Sequence, residues 1–119
     1  MVAIIIAVGG FALVMRDVQS ERLAAAVEQD REGGLDEVLD QAGVSAERFC
    51  VFGPYATRQQ IDDALGFSWP PASDTGIGLT DTQELVVAAD SNRVVAWAMV
   101  SLGTAADLVG GDYRCEQLA

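Results

Sequence analysis

The stretch RFCVFGPYATRQQIDDALG, residues 48–66, decides the fold of this chain because it reads as a strand followed directly by a capped helix. Phe49 to Phe52 are apolar and aromatic, which is typical of a buried or half-buried strand. Gly53-Pro54 ends this strand, since proline has no N–H to donate to a neighbouring strand. The chain is therefore expected to turn after residue 52.

The second half of the stretch predicts a short helix with a defined start and end. Thr57 and Gln60 have the spacing of a capping box. In this motif the side chain of each residue accepts a hydrogen bond from the backbone N–H of the other. Ile61 and Leu65 recur at helical spacing and form an apolar stripe, and Gly66 follows where a left-handed residue closes a helix. The unit is a strand, a tight turn, a short helix and a stop.

Length and charge limit the possible functions. The chain has 119 residues, 50% of them hydrophobic, which suffices for one domain with a core. Its 18 acidic and 7 basic residues give a net charge of -11, and every charged side chain lies at or after Arg16. Nucleic acid and anionic lipid need clustered positive charge, so we predict no nucleic-acid binding through this surface. A basic partner fits the charge, although acidity also serves solubility alone.

The types of basic residue exclude several chemistries. All 7 are arginine, and the chain has no histidine and no lysine. Without histidine there is no Ser-His-Asp or Cys-His arrangement and no imidazole metal ligand, and without lysine there is no Schiff base and no P-loop lysine. These absences are constraints on mechanism and not signals of a function. Our prediction is a protein that is not an enzyme, with no catalytic residues, no metal and no cofactor.

The first fifteen residues, MVAIIIAVGGFALVM, carry no charged side chain and are almost wholly apolar. As a helix they reach roughly 22 Å, which is short of the ~30 Å hydrocarbon core of a bilayer. Three interpretations compete: a short membrane anchor, the apolar region of a secretory signal, and a buried core helix. We favour membrane contact through residues 1–15 and assign residues 1–17 to an anchor or signal segment.

Residues 18–43 are predicted to be a helical linker region. Val18 to Glu32 and Leu35 to Gln41 both have apolar residues at helical spacing among acidic residues. Gly33-Gly34 separates the two helices, and Gly43 follows the second as a C-cap. Residues 44–119 then make up a small α+β domain.

Two valine-rich runs predict a β-hairpin in that domain. Glu84 to Ala89 and Arg93 to Ser101 flank Asp90-Ser91-Asn92, whose residues favour turns. The second run alternates bulky and small side chains, and its bulky face carries Trp97, which should meet the apolar stripe of the 57–66 helix. The small face is open to a helix, a partner or a membrane surface.

Three aromatic side chains, Tyr55, Trp69 and Trp97, are candidates for partner binding, because aromatic residues often dominate interface energies. Trp69 lies in a proline- and glycine-punctuated loop from Phe67 to Gly78. For this residue a second interpretation is favoured, namely a plug that closes the edge of a small core.

The two cysteines, Cys50 and Cys115, form either a disulfide or two unrelated buried thiols. A bond would close a loop of about 65 residues and stabilise the domain by on the order of 4 kcal/mol. Such a bond persists outside the cytoplasm, which agrees with an exported or membrane-anchored chain whose main domain is extracytoplasmic. We predict the disulfide.

Carboxylates supply the remaining catalytic candidates. Asp74, Asp81 and Glu84 are the residues from which a carboxylate-dependent hydrolase would have to be built, although their spacing matches no known arrangement. This hydrolase, or a small exported enzyme inhibitor, is the alternative to a non-enzymatic binding or structural module.

The segment FGPYATRQQIDDALG, residues 52–66, followed by a valine-rich hairpin and preceded by a hydrophobic N-terminal segment, resembles small bacterial cell-envelope proteins of unassigned function. More distantly it resembles the SmpA/OmlA lipoprotein family with its beta-lactamase-inhibitor-like fold. There, a threonine-led helix ending in Leu-Gly precedes antiparallel strands, as Thr57 to Gly66 does here. This chain differs from that family in having no cysteine for lipidation close after the apolar run. The resemblance implies an α+β domain that binds a protein partner in the envelope and has no catalytic residues.

From these observations we expect an α+β protein. An N-terminal hydrophobic helix is followed by short helices packed on one face of a small antiparallel sheet, which contains the Cys50 strand and the 84–101 hairpin.

Overall fold

The computed structural model describes residues 19–29 and 31–118, and these residues form an α+β fold, as predicted. Three α-helices and four strands make up the regular structure. In chain order they are α1 (19–29 within the described residues), α2 (Leu35–Ala42), β1 (Arg48–Phe52), α3 (Arg58–Leu65), β2 (Gln83–Ala89), β3 (Val94–Ser101) and β4 (Cys115–Gln117).

The four strands form one antiparallel sheet in the order β3-β2-β1-β4. The predicted hairpin is confirmed as β2 and β3, with a register irregularity at Ala88/Ala89. β4 begins at Cys115 and pairs with β1 at the edge of the sheet. Two successive glycines with positive φ, Gly110 and Gly111, turn the chain just before this point, and only then does it reach the edge of β1.

Helices cover both faces of the sheet, which corrects the expectation that they pack on one face. On the first face α1 and α2 join the core around Phe49, Val51 and Val86. On the second face α3 packs against Leu85 and Val87. Because both faces are covered, every residue of β2 after Gln83 is buried. The small face that the sequence left open to a helix is occupied by α1 and α2.

The described part of the predicted linker, 19–29 and 31–43, is a layer of the domain. Leu23, Val27 and Val38 are fully buried in the core of the first face. These contacts make the segment part of the fold, because burying apolar side chains is the main favourable contribution to folding. Residues 1–17, the predicted anchor or signal, lie outside the described residues. Within 19–29 and 31–118, no helix is long and apolar enough to cross a bilayer.

The helix boundaries predicted from capping are confirmed. In α3 the Thr57 Oγ1 accepts from the Gln60 N–H at 3.1 Å, and the Gln60 Oε1 accepts from the Thr57 N–H at 2.9 Å. Gly66 closes α3 with φ of 84°, and Gly43 closes α2 with φ of 69°. Local sequence therefore determines where both helices end.

The loops contain short 3-10 helices that the sequence pattern did not indicate. One, Arg31–Gly33, precedes α2. The three that follow β1 cover Pro70–Asp74, Ile77–Leu79 and Ala106–Val109. Each of these three is anchored by one buried apolar side chain, namely Ala72, Ile77 and Val109. These anchors attach the loops firmly to the sheet layers.

The predicted disulfide between Cys50 and Cys115 is present. The two residues stand directly opposite each other in the pairing of β1 with β4. Cys50 is fully buried, and Cys115 is packed against the core of the second face. The bond therefore attaches the three-residue edge strand to the sheet.

Candidate protein-binding surface

The three aromatic candidates lie in two places. Trp69 is only 7% exposed, and its ring meets that of half-buried Trp97 edge to face, with centroids 6.0 Å apart. This burial confirms the prediction of Trp69 as a plug on the core. Tyr55 is 58% exposed and lines a different groove from the tryptophan pair. Partner binding through any of the three stays a prediction, and Tyr55 has the most surface free for it.

Tyr55 is held in an unusual backbone conformation. Its φ is 64°, and it is the one residue other than glycine with a positive φ among residues 19–29 and 31–118. Left-handed backbone costs a residue with a side chain roughly 1–2 kcal/mol. Two hydrogen bonds maintain it, from the Tyr55 N–H to the Ile77 carbonyl at 2.9 Å and from the Ala56 N–H to the Gly53 carbonyl at 3.3 Å. The tight turn after β1 therefore presents the Tyr55 ring to solvent at an energetic cost.

Leu79 lies beside Tyr55 and is 90% exposed. Both side chains line a groove of about 290 Å³ between the turn and the Ile77–Leu79 helix. Ile77 is buried and anchors that helix, so Leu79 is directed outward by a fixed backbone. Leu79 is not predictable as a surface residue from sequence, because a single leucine in a glycine-rich loop has no periodic neighbours that indicate its orientation.

Tyr113 forms the other end of this surface. Its ring lies against Gly53, where a Cβ atom built on the glycine would be 2.3 Å from the Tyr113 Cε2 atom. Only glycine leaves room for this contact, yet Tyr113 remains 50% exposed. From sequence, Gly53 is predicted only to end a strand. The role of Tyr113 depends on a contact across 60 positions of sequence and has no local signal.

A second groove, of about 350 Å³, joins Tyr113 to the Tyr55 region. Ala56 lines both this groove and the one between Tyr55 and Leu79, so the two grooves are neighbours. We name Tyr55, Ala56, Leu79 and Tyr113 the tyrosine face. Within the described part of the chain, the four large hydrophobic side chains that are exposed are Leu102 and three members of this face.

A buried carboxylate lies close to Tyr113. Glu84 is fully buried, and its Oε1 accepts from the Ala105 N–H at 2.9 Å, whereas Oε2 has no hydrogen-bond partner in the described structure. Partial burial of the Tyr113 hydroxyl, and then the neighbouring Glu84 carboxylate, raise the pKa of Tyr113 above its ordinary value of 10.0.

The carboxylates considered for a hydrolase have different surroundings. Glu84 is buried and bonds the backbone of Ala105, whereas Asp74 and Asp81 are exposed. Within 19–29 and 31–118 there is no group of three aspartate, glutamate or cysteine side chains placed to hold a metal ion. The feature that the geometry assembles is an apolar and aromatic surface.

Comparisons of the chain with protein-family models, with curated proteins and with solved structures found no match. The resemblance to the SmpA/OmlA family therefore stays a prediction from residues 52–66 and the order of elements.

Proposed function

We propose that this protein is a non-enzymatic, protein-binding module of the cell envelope and that the tyrosine face is its binding surface. One observation carries the proposal. Tyr55 is more than half exposed in a strained backbone conformation, next to a leucine that is 90% exposed. Strained residues persist where the surrounding structure enforces them, and they concentrate at functional sites.

The composition of the face supports binding to another protein. Tyrosine buries a large apolar area on binding while its hydroxyl keeps a polar contact, and few rotatable bonds must be ordered. Contiguous exposed apolar groups on a small soluble domain are typical of interaction sites. The grooves beside Tyr55 and Tyr113 offer recesses into which a partner's side chains can insert.

Two features support the envelope as the location. The disulfide between Cys50 and Cys115 is of a kind that persists in oxidising compartments. The apolar composition of residues 1–15 favours a membrane anchor or an export signal. The net charge of -11 favours a partner whose surface is basic.

The test is capture of a partner from envelope extracts by the full chain in mild detergent. We expect a specific protein to be retained, and the double variant Tyr55→Ala/Leu79→Ser to lose at least about tenfold of that retention, since removing interface anchors costs 1–2 kcal/mol or more. Leu102→Ser is the matched control, because it removes an exposed leucine that lines neither groove.

Equal retention by the double variant and by the Leu102→Ser control would contradict the proposal. If the retained protein is an exported hydrolase whose activity falls on binding, the module is an enzyme inhibitor, which is a narrower form of the same function.

A further inference from the structure

Within residues 19–29 and 31–118, the outer edge of β4 is unpaired. The Val51 N–H donates to the Arg114 carbonyl at 3.0 Å, and the Leu118 N–H donates to the Glu47 carbonyl at 2.8 Å. Residues alternate their hydrogen-bonding direction along a strand, so Cys115 and Gln117 direct their N–H and C=O groups away from β1. No residue in the described ranges bonds these outward groups. An unpaired edge of this kind is a template for an additional strand.

The opposite edge of the sheet, formed by β3, has two features that hinder pairing. At one end of β3 the Glu28 Oε1 accepts from the Ser101 N–H at 2.9 Å, which places a charged group of α1 on the edge. At the other end the register irregularity at Ala88/Ala89 interrupts the ladder between β2 and β3. Bulges and charged groups are the usual means by which edge strands avoid pairing. β4 pairs with β1 without a register irregularity, and nothing in the described ranges bonds its outward N–H groups, so we take β4 as the edge available for pairing.

Grooves flank β4 on both faces of the sheet. The groove on the first face, about 410 Å³, contains leucines from three segments, Leu35, Leu108 and Leu118. It is bordered by Asp36, Glu116 and Arg114, and the Arg114 guanidinium donates to the Glu116 carboxylate at 3.0 Å. The groove on the second face is the one beside Tyr113 and the side of α3. Side chains of an added strand alternate between the two faces and would enter both grooves in turn.

We propose that β4 accepts an extended segment of a partner protein as a fifth strand of the sheet. The side chains of that segment on the first face are basic and apolar, and they meet Asp36, Glu116 and the leucines. This inference rests on the proposed protein-binding function and names the mode of binding. The net charge of -11 is complementary to a basic segment and opposes an acidic one.

A second copy of this chain is a poorer occupant than a basic segment. Two β4 strands paired antiparallel through Cys115 and Gln117 place the two Glu116 side chains directly opposite each other on one face. Like charges at opposed positions destabilise a sheet, and each copy adds a net charge of -11. The charges therefore select a partner of opposite sign.

The experiment compares Gln117→Pro with Gln117→Ala in the full chain. Proline removes one outward N–H and adds bulk on the open side, while the bonds from β4 to β1 remain, because residue 117 does not donate to β1. The probe is a fluorescent peptide of about eight residues that alternates lysine and valine, with anisotropy as the readout. We expect Gln117→Pro to weaken binding about tenfold or more and Gln117→Ala to change it less than about twofold.

Charge reversal tests the identity of the partner. We expect Glu116→Lys to weaken binding of the lysine-valine peptide and to improve binding of a matched glutamate-valine peptide. Equal binding of the lysine-valine peptide by Gln117→Pro and Gln117→Ala would overturn the inference. It would also fail if the unmodified protein is a dimer in sedimentation that Gln117→Pro dissociates, because the occupant would then be a second copy.

Two further measurements keep the outcomes distinct. If Gln117→Pro unfolds, a probe with alternate backbone nitrogens methylated is compared with the plain probe on the unmodified chain. Equal affinities of these two probes overturn strand addition. If Tyr55→Ala/Leu79→Ser loses the envelope partner while a folded Gln117→Pro retains it, strand addition fails and the proposed function stands.

Discussion

At the scale of single residues, the contact between Gly53 and Tyr113 links the sheet to the tyrosine face. The Tyr113 ring occupies the space that a side chain at residue 53 would fill. It therefore covers the end of β1 and lines the groove that leads to Ala56. Glycine is needed at this position because the Tyr113 ring approaches the backbone closely, and such close approach is a common reason for a glycine in or beside a strand.

A variant at Gly53 tests this contact. Gly53→Ala places a Cβ atom 2.3 Å from the Tyr113 ring, so we expect the ring to move and stability to fall by about 1–3 kcal/mol. Urea unfolding measures the change. In a Tyr113→Ala background the same substitution should cost much less, because no ring occupies the space. Equal costs in the two backgrounds would show that the contact is not the cause.

The raised pKa of Tyr113 predicts a pH dependence of stability. The folded state holds the hydroxyl proton more tightly than the unfolded chain, whose tyrosine pKa is near the ordinary 10.0. The stabilisation that results from this tighter proton binding is complete below pH 10.0 and is lost as the pH rises through the pKa of Tyr113 in the folded state. We expect unfolding free energy measured by urea to fall above pH 10, and Tyr113→Phe to lose this part of the fall. Tyr55→Phe is the control and should keep it.

At the scale of elements, β4 is the smallest strand and the one most dependent on a covalent bond. Three residues pair with β1, and the Cys50–Cys115 bond joins the two strands at the centre of the cluster on the second face. A three-residue edge strand contributes few hydrogen bonds, so its position depends on this bond and on the packing of Leu118. The open edge inferred for partner binding exists only while β4 is held there.

Removal of the disulfide should lower stability and release β4. The bond joins residues 65 apart, for which the loss of loop-closure entropy in the unfolded chain corresponds to about 4 kcal/mol. We expect Cys50→Ala/Cys115→Ala to lose roughly that amount in urea unfolding. Amide exchange at Val51, whose N–H bonds the Arg114 carbonyl, should accelerate more than exchange at Val86 in the central strand. Unchanged exchange at Val51 would contradict the dependence of β4 on the bond.

At the scale of the whole molecule, the described residues form a sheet with helical layers on both faces and an acidic surface. The layers bury the sheet, nothing in the described ranges bonds the outward N–H groups of β4, and the tyrosine face lies next to that edge. Net negative charge, exposed tyrosines and the open edge together favour an extended basic partner.

Thiol labelling in intact cells tests the proposed location. We expect Cys50 and Cys115 to react only after a dithiol reductant is added, because the bond persists outside the cytoplasm. Purified protein that is denatured and reduced gives the full signal as a control. Labelling of both cysteines without reductant would contradict both the presence of the disulfide in cells and the exported location.

Local features of this chain were predictable from its sequence. The ends of α3 follow from Thr57, Gln60 and Gly66, because capping joins residues only a few positions apart. The hairpin of β2 and β3 follows from two valine-rich runs around a turn. The acidity, the absence of histidine and lysine, and the choice of Tyr55 as an exposed candidate also required only the sequence.

Long-range packing decided the rest. The sequence left the pairing of Cys50 with Cys115 as one of two alternatives, and only the register of β1 with β4 brings them together. Coverage of both sheet faces and the contact of Tyr113 with Gly53 join segments far apart along the chain. Capping and alternation act between near neighbours in sequence, whereas the open edge of β4 and the tyrosine face exist only once distant segments pack on one sheet.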